Sequence, residues 1–241
     1  MYGSKVAAPL GAATFLGHHM FSSPILEAQR RAGARISKTY GWQLPSTYSS
    51  LSEEYEWATR KPVVLDRFYI GRLEITGRDG LELLNRLSTN DMDKITSPNQ
   101  GIYTVLTSNK GRILDLLFVM RLENKLVVLT GAENRKKVLD WIEFYTFTED
   151  VTVQDVTEET AMLSVMGVGA SQILDDITGK AITDLPCSGS MLTHICGVKA
   201  LILRTDFANL PGFDIIVSSS NAEQIWTHLL SNRTERGIKP V

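Results

Sequence analysis

One carboxylate, Asp115, interrupts the apolar run Ser108–Arg121 (SNKGRILDLLFVMR), which follows a turn at Asn109-Lys110-Gly111 and has the pattern of a strand. An acid in such a strand is costly unless it is paired, hydrogen-bonded or functional. Asp115 is therefore a candidate acid–base group. The pleat places Ile113, Asp115, Leu117 and Val119 on one face and Leu114, Leu116 and Phe118 on the other. A second constellation is Arg204-Thr205-Asp206-Phe207 with Pro211-Gly212-Phe213-Asp214. It makes a polar turn between aromatic residues that could flank a flat heteroaromatic ligand. The plainer alternative is a hairpin loop around a satisfied Asp214.

Other motifs point to less. Gly167-Val168-Gly169-Ala170-Ser171 lies between a strand and a helix, but the third glycine of a dinucleotide fingerprint would fall at Gln172, and no Walker lysine follows. Tight strand-to-helix packing accounts for it better. The four histidines, His18, His19, His194 and His228, lack partners at ligand spacing, so no metal site is expected. Cys187 and Cys196 fit neither a redox pair nor a zinc knuckle and are expected as two buried thiols.

The elements that must position these residues are short and alternate in type. The 241 residues are 43% hydrophobic and 22% charged, with net charge −2. That is ordinary for a globular protein and supplies no basic field for nucleic acid. No apolar run is long enough to span a membrane, and a cytoplasmic location is expected. Residues 1–22 are expected to be a flexible N-terminal extension. Helices are expected at Ile25–Ala34, Ser52–Arg60, Leu81–Leu87, Glu133–Tyr145, Ala170–Ile177 and Ala222–Ser231. Strands are expected at Val63–Asp66, Tyr69–Thr76, Lys125–Thr130, Thr160–Met166, Cys196–Arg204 and Gly212–Ser218. Tyr103–Thr107 and Arg112–Arg121 should form a hairpin. Gly41–Pro45 should be a loop with a mostly buried Trp42. Strands in hairpin pairs imply an α+β fold with two related antiparallel-sheet subdomains, residues 23–154 and 155–241.

The ordered series Gly41–Pro45, Ser52–Lys61, Gly77–Asn90, Gly101–Val105, Asn109–Val119, Thr160–Gly167 and Arg204–Asp214 resembles the folate-binding family of the glycine cleavage system T-protein and its YgfZ-type relatives. The resemblance implies two α+β domains of a fold that continues, in the family, into a C-terminal β-barrel absent from these residues. It also implies tetrahydrofolate, or a folate derivative, as ligand and an aminomethyltransferase-type one-carbon transfer. A partner carrying the one-carbon donor, or an iron–sulfur protein, would follow; nucleic acid and membrane would not.

The family's acid–base Asp is the second acid of its strand motif. Matched here, Asp115 takes the first position and Leu116 the catalytic one. A leucine cannot exchange a proton, so catalysis should be weak or absent unless Asp115 carries a relocated acid role. The family's pterin-holding Glu matches Asp214, with Arg204 and Phe207 beside it as expected folate-binding residues, and an Asn that follows the strand in the family falls at about Gly131. The alternative is a non-catalytic YgfZ-like scaffold in iron–sulfur cluster maintenance.

Overall fold

The computed structural model describes residues 20–207, 209–231 and 237–241. Two turns show how local sequence sets its hairpins. Tyr40-Gly41 and Cys196-Gly197 both carry positive φ at both residues (54° and 77°; 44° and 83°). That is the two-residue turn whose twist matches paired strands. The first joins β2 (Arg35–Thr39) to β3 (Trp42–Thr47), which also pairs with β1 (Phe21–Ser22). Gly41–Pro45 is therefore strand rather than loop from Trp42 onward. Trp42 is 4% exposed, stacked on Phe21 and edge-on to Phe68. Phe21 and Ser22, expected in a flexible extension, are the last strand of this small sheet; the rest of that expectation, residues 1–19, lies outside the described residues. The second turn corrects the strand expected over Cys196–Arg204. Cys196 sits in the turn, half-buried, and Cys187 is exposed, so the two thiols are not core residues.

Helices α1 (Leu26–Arg31) and α2 (Leu51–Ala58) precede β4 (Val63–Asp66). The helix α2 is started by a capping box in which the Ser50 hydroxyl accepts from Glu53 N and the Glu53 carboxylate from Ser50 N. Then one order of elements occurs twice. The first passage is β5 (Gly71–Thr76), α3 (Gly80–Leu87), β6 (Gly101–Thr107), β7 (Ile113–Arg121), β8 (Leu126–Thr130), α4 (Arg135–Phe144) and β9 (Thr152–Asp155). The second is β10 (Thr160–Met166), α5 (Ala170–Thr178), β11 (Ser190–Ile195), β12 (Val198–Arg204), β13 (Gly212–Ser218), α6 (Ala222–Ser231) and β14 (Lys239–Pro240).

Five strands of each sheet match in order, and β14 adds a sixth strand to one of them. One is β6-β7-β8-β5-β9 and the other β11-β12-β13-β10-β4-β14. Two strands stand in equivalent places: β4 precedes β5 in the chain but pairs with β10, and β9 precedes β10 but pairs with β5. The division expected at residues 154–155 falls inside β9. Helices α3 and α4 cover the outer face of one sheet around Leu83, Leu84, Val138 and Ile142; α5 and α6 cover the other around Ile173, Leu174, Ile225 and Leu229. Between the inner faces lie Phe118, Met120 and Leu129 from one sheet and Met162, Leu201 and Leu203 from the other. Each such side chain contributes roughly 1.5–3 kcal/mol by leaving water. The architecture is α+β with mostly antiparallel sheets, and no sheet closes into a barrel among the described residues.

The duplication reaches individual atoms. Asn99 and Ser188 hold positive φ before β6 and β11 (66° and 58°) and donate their N–H to Arg121 O and Arg204 O. Those two arginines donate Nη1 to Ile95 O and Leu185 O. Gln100 and Gly189 form an antiparallel bridge with each other, which joins the repeats at their axis. After β5 and β10, Gly77 and Gly167 have φ of 101° and 103°; an added Cβ would lie 1.9 Å from Asp150 O and 2.8 Å from Lys61 O. Only glycine allows the chain to pass there.

Asp66 and Asp155 are also equivalents, each accepting the N–H two residues on, from Phe68 at 2.8 Å and Thr157 at 3.0 Å. Asp155 is paired with Arg135, whereas Asp66 is buried against the neutral Gln29 amide, Nε2 at 2.6 Å, and Gln29 Oε1 has no partner. Burial therefore pushes the Asp66 carboxyl above the ordinary carboxylate range, and bonds from Ser23, Phe68 and Gln29 offset this only in part. The folded chain then holds a proton that the unfolded chain releases near about pH 4. The stability this adds is complete below that pH and is lost as pH rises through the folded value. Asn imitates the protonated acid and can donate to Gln29 Oε1. Asp66→Asn is expected to be more stable than the parent near neutrality, by about 1 kcal/mol, with a flatter pH profile. Urea unfolding at about pH 5 and about pH 8 checks this; equal slopes in the two proteins would contradict it.

Candidate functional site

Strand parity decides what β7 presents to each side. Leu117 and Val119 pack in the helix-covered core and Phe118 and Met120 between the sheets. A bulge does exist in β7: Thr107 pairs with Ile113 and Leu106 with Asp115, so Leu114 is the extra residue. It lies before Asp115 and leaves the alternation from Asp115 onward intact. Asp115 therefore faces the helix side. Its carboxylate accepts from Thr130 Oγ1, from Gly131 N at 2.7 Å and from Asn134 Nδ2 at 3.1 Å. These bonds tie the β8–α4 turn to β7 and place an anion at the N-terminal end of α4, where the helix dipole favours it. Gly131, the position matched to the family's asparagine, serves Asp115 through its N–H, and Asn134 three residues on serves it through its side chain. Asp115→Ala is expected to lose about 1–3 kcal/mol by orphaning these donors, measured by chemical denaturation, with no change in any ligand affinity.

Leu116 faces the inter-sheet side and is 57% exposed. Asp214, in the centre of β13, faces the same space: Phe213 and Ile215 pack under the helices and Ile216 joins the inter-sheet cluster. The Asp214 carboxylate is 1% exposed and accepts four contacts. Oδ1 receives Ser164 Oγ from β10 and Arg67 Nη1 at 3.3 Å; Oδ2 receives Thr205 Oγ1 at 2.8 Å and Arg67 Nη1 at 3.4 Å. A carboxylate has about four lone-pair positions, so donors from this chain already use its acceptor capacity. The long Arg67 contacts, from a side chain 30% exposed, are the ones a ligand would displace most readily.

Tyr103 of β6 lies on the same inter-sheet side. It lies against Phe118, with ring centroids 4.8 Å apart. Burial raises its hydroxyl pKa first, and the negative charges of Asp214 and Asp206 raise it further against Arg67.

The turn after β12 is polar, as expected. Arg204 Nε lies 3.1 Å from Asp206 Oδ1, Asp206 accepts from Gly212 N at 3.2 Å, and the guanidinium sits over Phe213 with 6.0 Å to the ring centroid. Cys187 Sγ donates to Asp206 at 3.2 Å, which raises the thiol pKa. Phe207 is 67% exposed at the tip, bridged to Leu210. The structure thus brings Asp214 together with Arg67, Ser164 and Thr205, puts Arg204 in the adjoining loop pair, and sets Asp115 apart. Arg67 carries no motif; it lies one residue past β4, in the same sheet as Asp214.

The profile of the GCVT N-terminal domain family matches residues 25–241, nearly the whole chain. The chain belongs to that family. An aminomethyltransferase of Bacillus pumilus is 31% identical over 220 residues, and that of Bacillus subtilis 30%. Each alignment covers 90% of this chain but 60% of the relative, so the chain spans about three-fifths of the curated relatives' length. The crystal structure of the glycine cleavage system aminomethyltransferase T from Bartonella henselae superposes with a TM-score of 0.82 at 21% identity, over 92% of this chain and 59% of that one. A heterotetrameric sarcosine oxidase from Corynebacterium gives 0.56 at 15% identity, over 86% and 91%. The fold of this GCVT domain is thus that of the N-terminal region of the glycine cleavage aminomethyltransferase. No helix among the described residues is long and apolar enough to cross a membrane.

Proposed function

We propose that this GCVT domain binds a reduced folate at the inter-sheet mouth, with Asp214 as the acceptor for the pterin's amino and ring N–H groups, and that it supports one-carbon transfer weakly or not at all. The observation that carries the reading is two positions on the inter-sheet side: a buried carboxylate at Asp214 and an exposed aliphatic side chain, Leu116, at the position that the family resemblance gives to a proton-transferring acid. Tyr103 supplies an aromatic wall, and Arg204 and Phe207 border the mouth from the β12–β13 loop. A protein carrying the one-carbon donor is the partner this reaction class requires. Calorimetry with 5-formyltetrahydrofolate tests the reading. Binding to the parent chain that is lost in Asp214→Ala and weakened in Tyr103→Ala supports it; no binding by the parent sinks it.

One observation favours a second reading, a non-catalytic scaffold such as one serving iron–sulfur proteins. The Asp214 oxygens are occupied by Ser164, Thr205 and Arg67. If Asp214 is only structural, substitutions at Asp214 and Arg67 change stability but never folate affinity.

A further inference from the structure

The duplication makes a second mouth. In the first, Ser164 and Asp214 are cross-strand neighbours on β10 and β13; in the second, Glu74 and Val127 are neighbours on β5 and β8. Tyr103, paired with Phe118, corresponds to Leu192, paired with Leu201. Leu116, five residues before Arg121, corresponds to Lys199, five before Arg204. These counterparts, Glu74, Val127, Leu192 and Lys199, together line a cavity of about 220 Å³. The symmetry that places Asp214 in one opening therefore builds a pocket at the other, with different chemistry.

That chemistry is cationic with apolar walls. Arg72 lines the cavity, is 0% exposed and makes no hydrogen bond to a carboxylate. Its donors go to Thr160 Oγ1 at 2.7 Å, Ile70 O at 2.6 Å, Phe68 O at 3.1 Å, Thr157 O and Thr160 O at 3.2 Å. Burial lowers its pKa to about 9. Its hydrogen bonds all go to neutral oxygens, while the negative charges of Asp66, Asp155 and Asp214 act on it through space. Lys125 is offset by Glu74, whereas Lys199 has no ion-pair partner among the described residues. Val127, Leu192 and Ile216 supply apolar surface.

We propose that this cavity is a second ligand site, for a small carboxylate with an apolar body: the Lys199 ammonium meets the carboxylate, and the aliphatic walls take the body. The site is independent of whether the Asp214 mouth binds folate. The test is an amide NMR titration of the whole chain with benzoate, benzamide serving as the uncharged control. Saturable shifts centred on Leu192, Lys199 and Ile216, with affinity of roughly millimolar order, are expected for benzoate only. Lys199→Glu should weaken binding by roughly tenfold or more, and Lys199→Met less. Equal binding of benzamide, unchanged affinity in Lys199→Glu, shifts centred instead on Tyr103 and Arg67, or no saturable shift would each overturn the proposal.

Discussion

Leu116→Asp is expected to raise folate-dependent one-carbon transfer by about 10²–10⁴-fold, the usual contribution of one well-placed general acid or base. The position suits a carboxylate. Leu116 is 57% exposed on the inter-sheet side. A charge there stays solvated, and the stability cost should remain within about 0.5 kcal/mol. The pleat turns Asp115 toward α4, where three donors hold it. Turnover with tetrahydrofolate and an aminomethyl donor should therefore rise in Leu116→Asp and stay unchanged in Asp115→Asn. A rate that falls in Asp115→Asn and does not move in Leu116→Asp would return the acid role to Asp115.

The second large effect is on stability. Asp214→Ala is expected to cost about 3 kcal/mol, because removing the acceptor strands the buried Ser164 hydroxyl, the Thr205 hydroxyl and the Arg67 charge. Arg67 is 30% exposed and can turn to water, which keeps the figure below the about 5 kcal/mol reached when both partners are enclosed. Asp214→Asn retains one carbonyl acceptor and should lose roughly half as much. Arg67→Met should lose least, since its contacts of 3.3–3.4 Å are the weakest of the set. Denaturant unfolding orders the three variants. A midpoint for Asp214→Ala equal to that of the parent would show that the carboxylate makes no net contribution.

Much of the secondary structure is legible in the residues. The strand expected at Thr160–Met166 and that at Gly212–Ser218 have the observed bounds, and the hairpin around Asn109-Lys110-Gly111 is present. These segments carry strong alternation or a plain turn signal. Two hairpins were less visible because their turns are Tyr40-Gly41 and Cys196-Gly197. The first turn residue in each is one seldom chosen for positive φ, so neither resembled an Asn-Gly turn. As a result the residues signal neither β2 nor β11, and Cys196 reads as part of a strand.

The site divides in the same way. The sequence by itself determined that Asp115 and Leu116 must face opposite sides, because a strand's period is two, and that Asp214 would follow a glycine into a strand. It could not determine which side is which. That depended on helices α3 and α4 covering the Asp115 face of one sheet, and α5 and α6 the outer face of the other. Nor could it place Arg67 on Asp214, 147 residues away, or Lys199 opposite Glu74. Those meetings exist because β4 and β9 cross to each other's sheet. Such pairings are set by burial summed over both sheets, and no local run of residues encodes them.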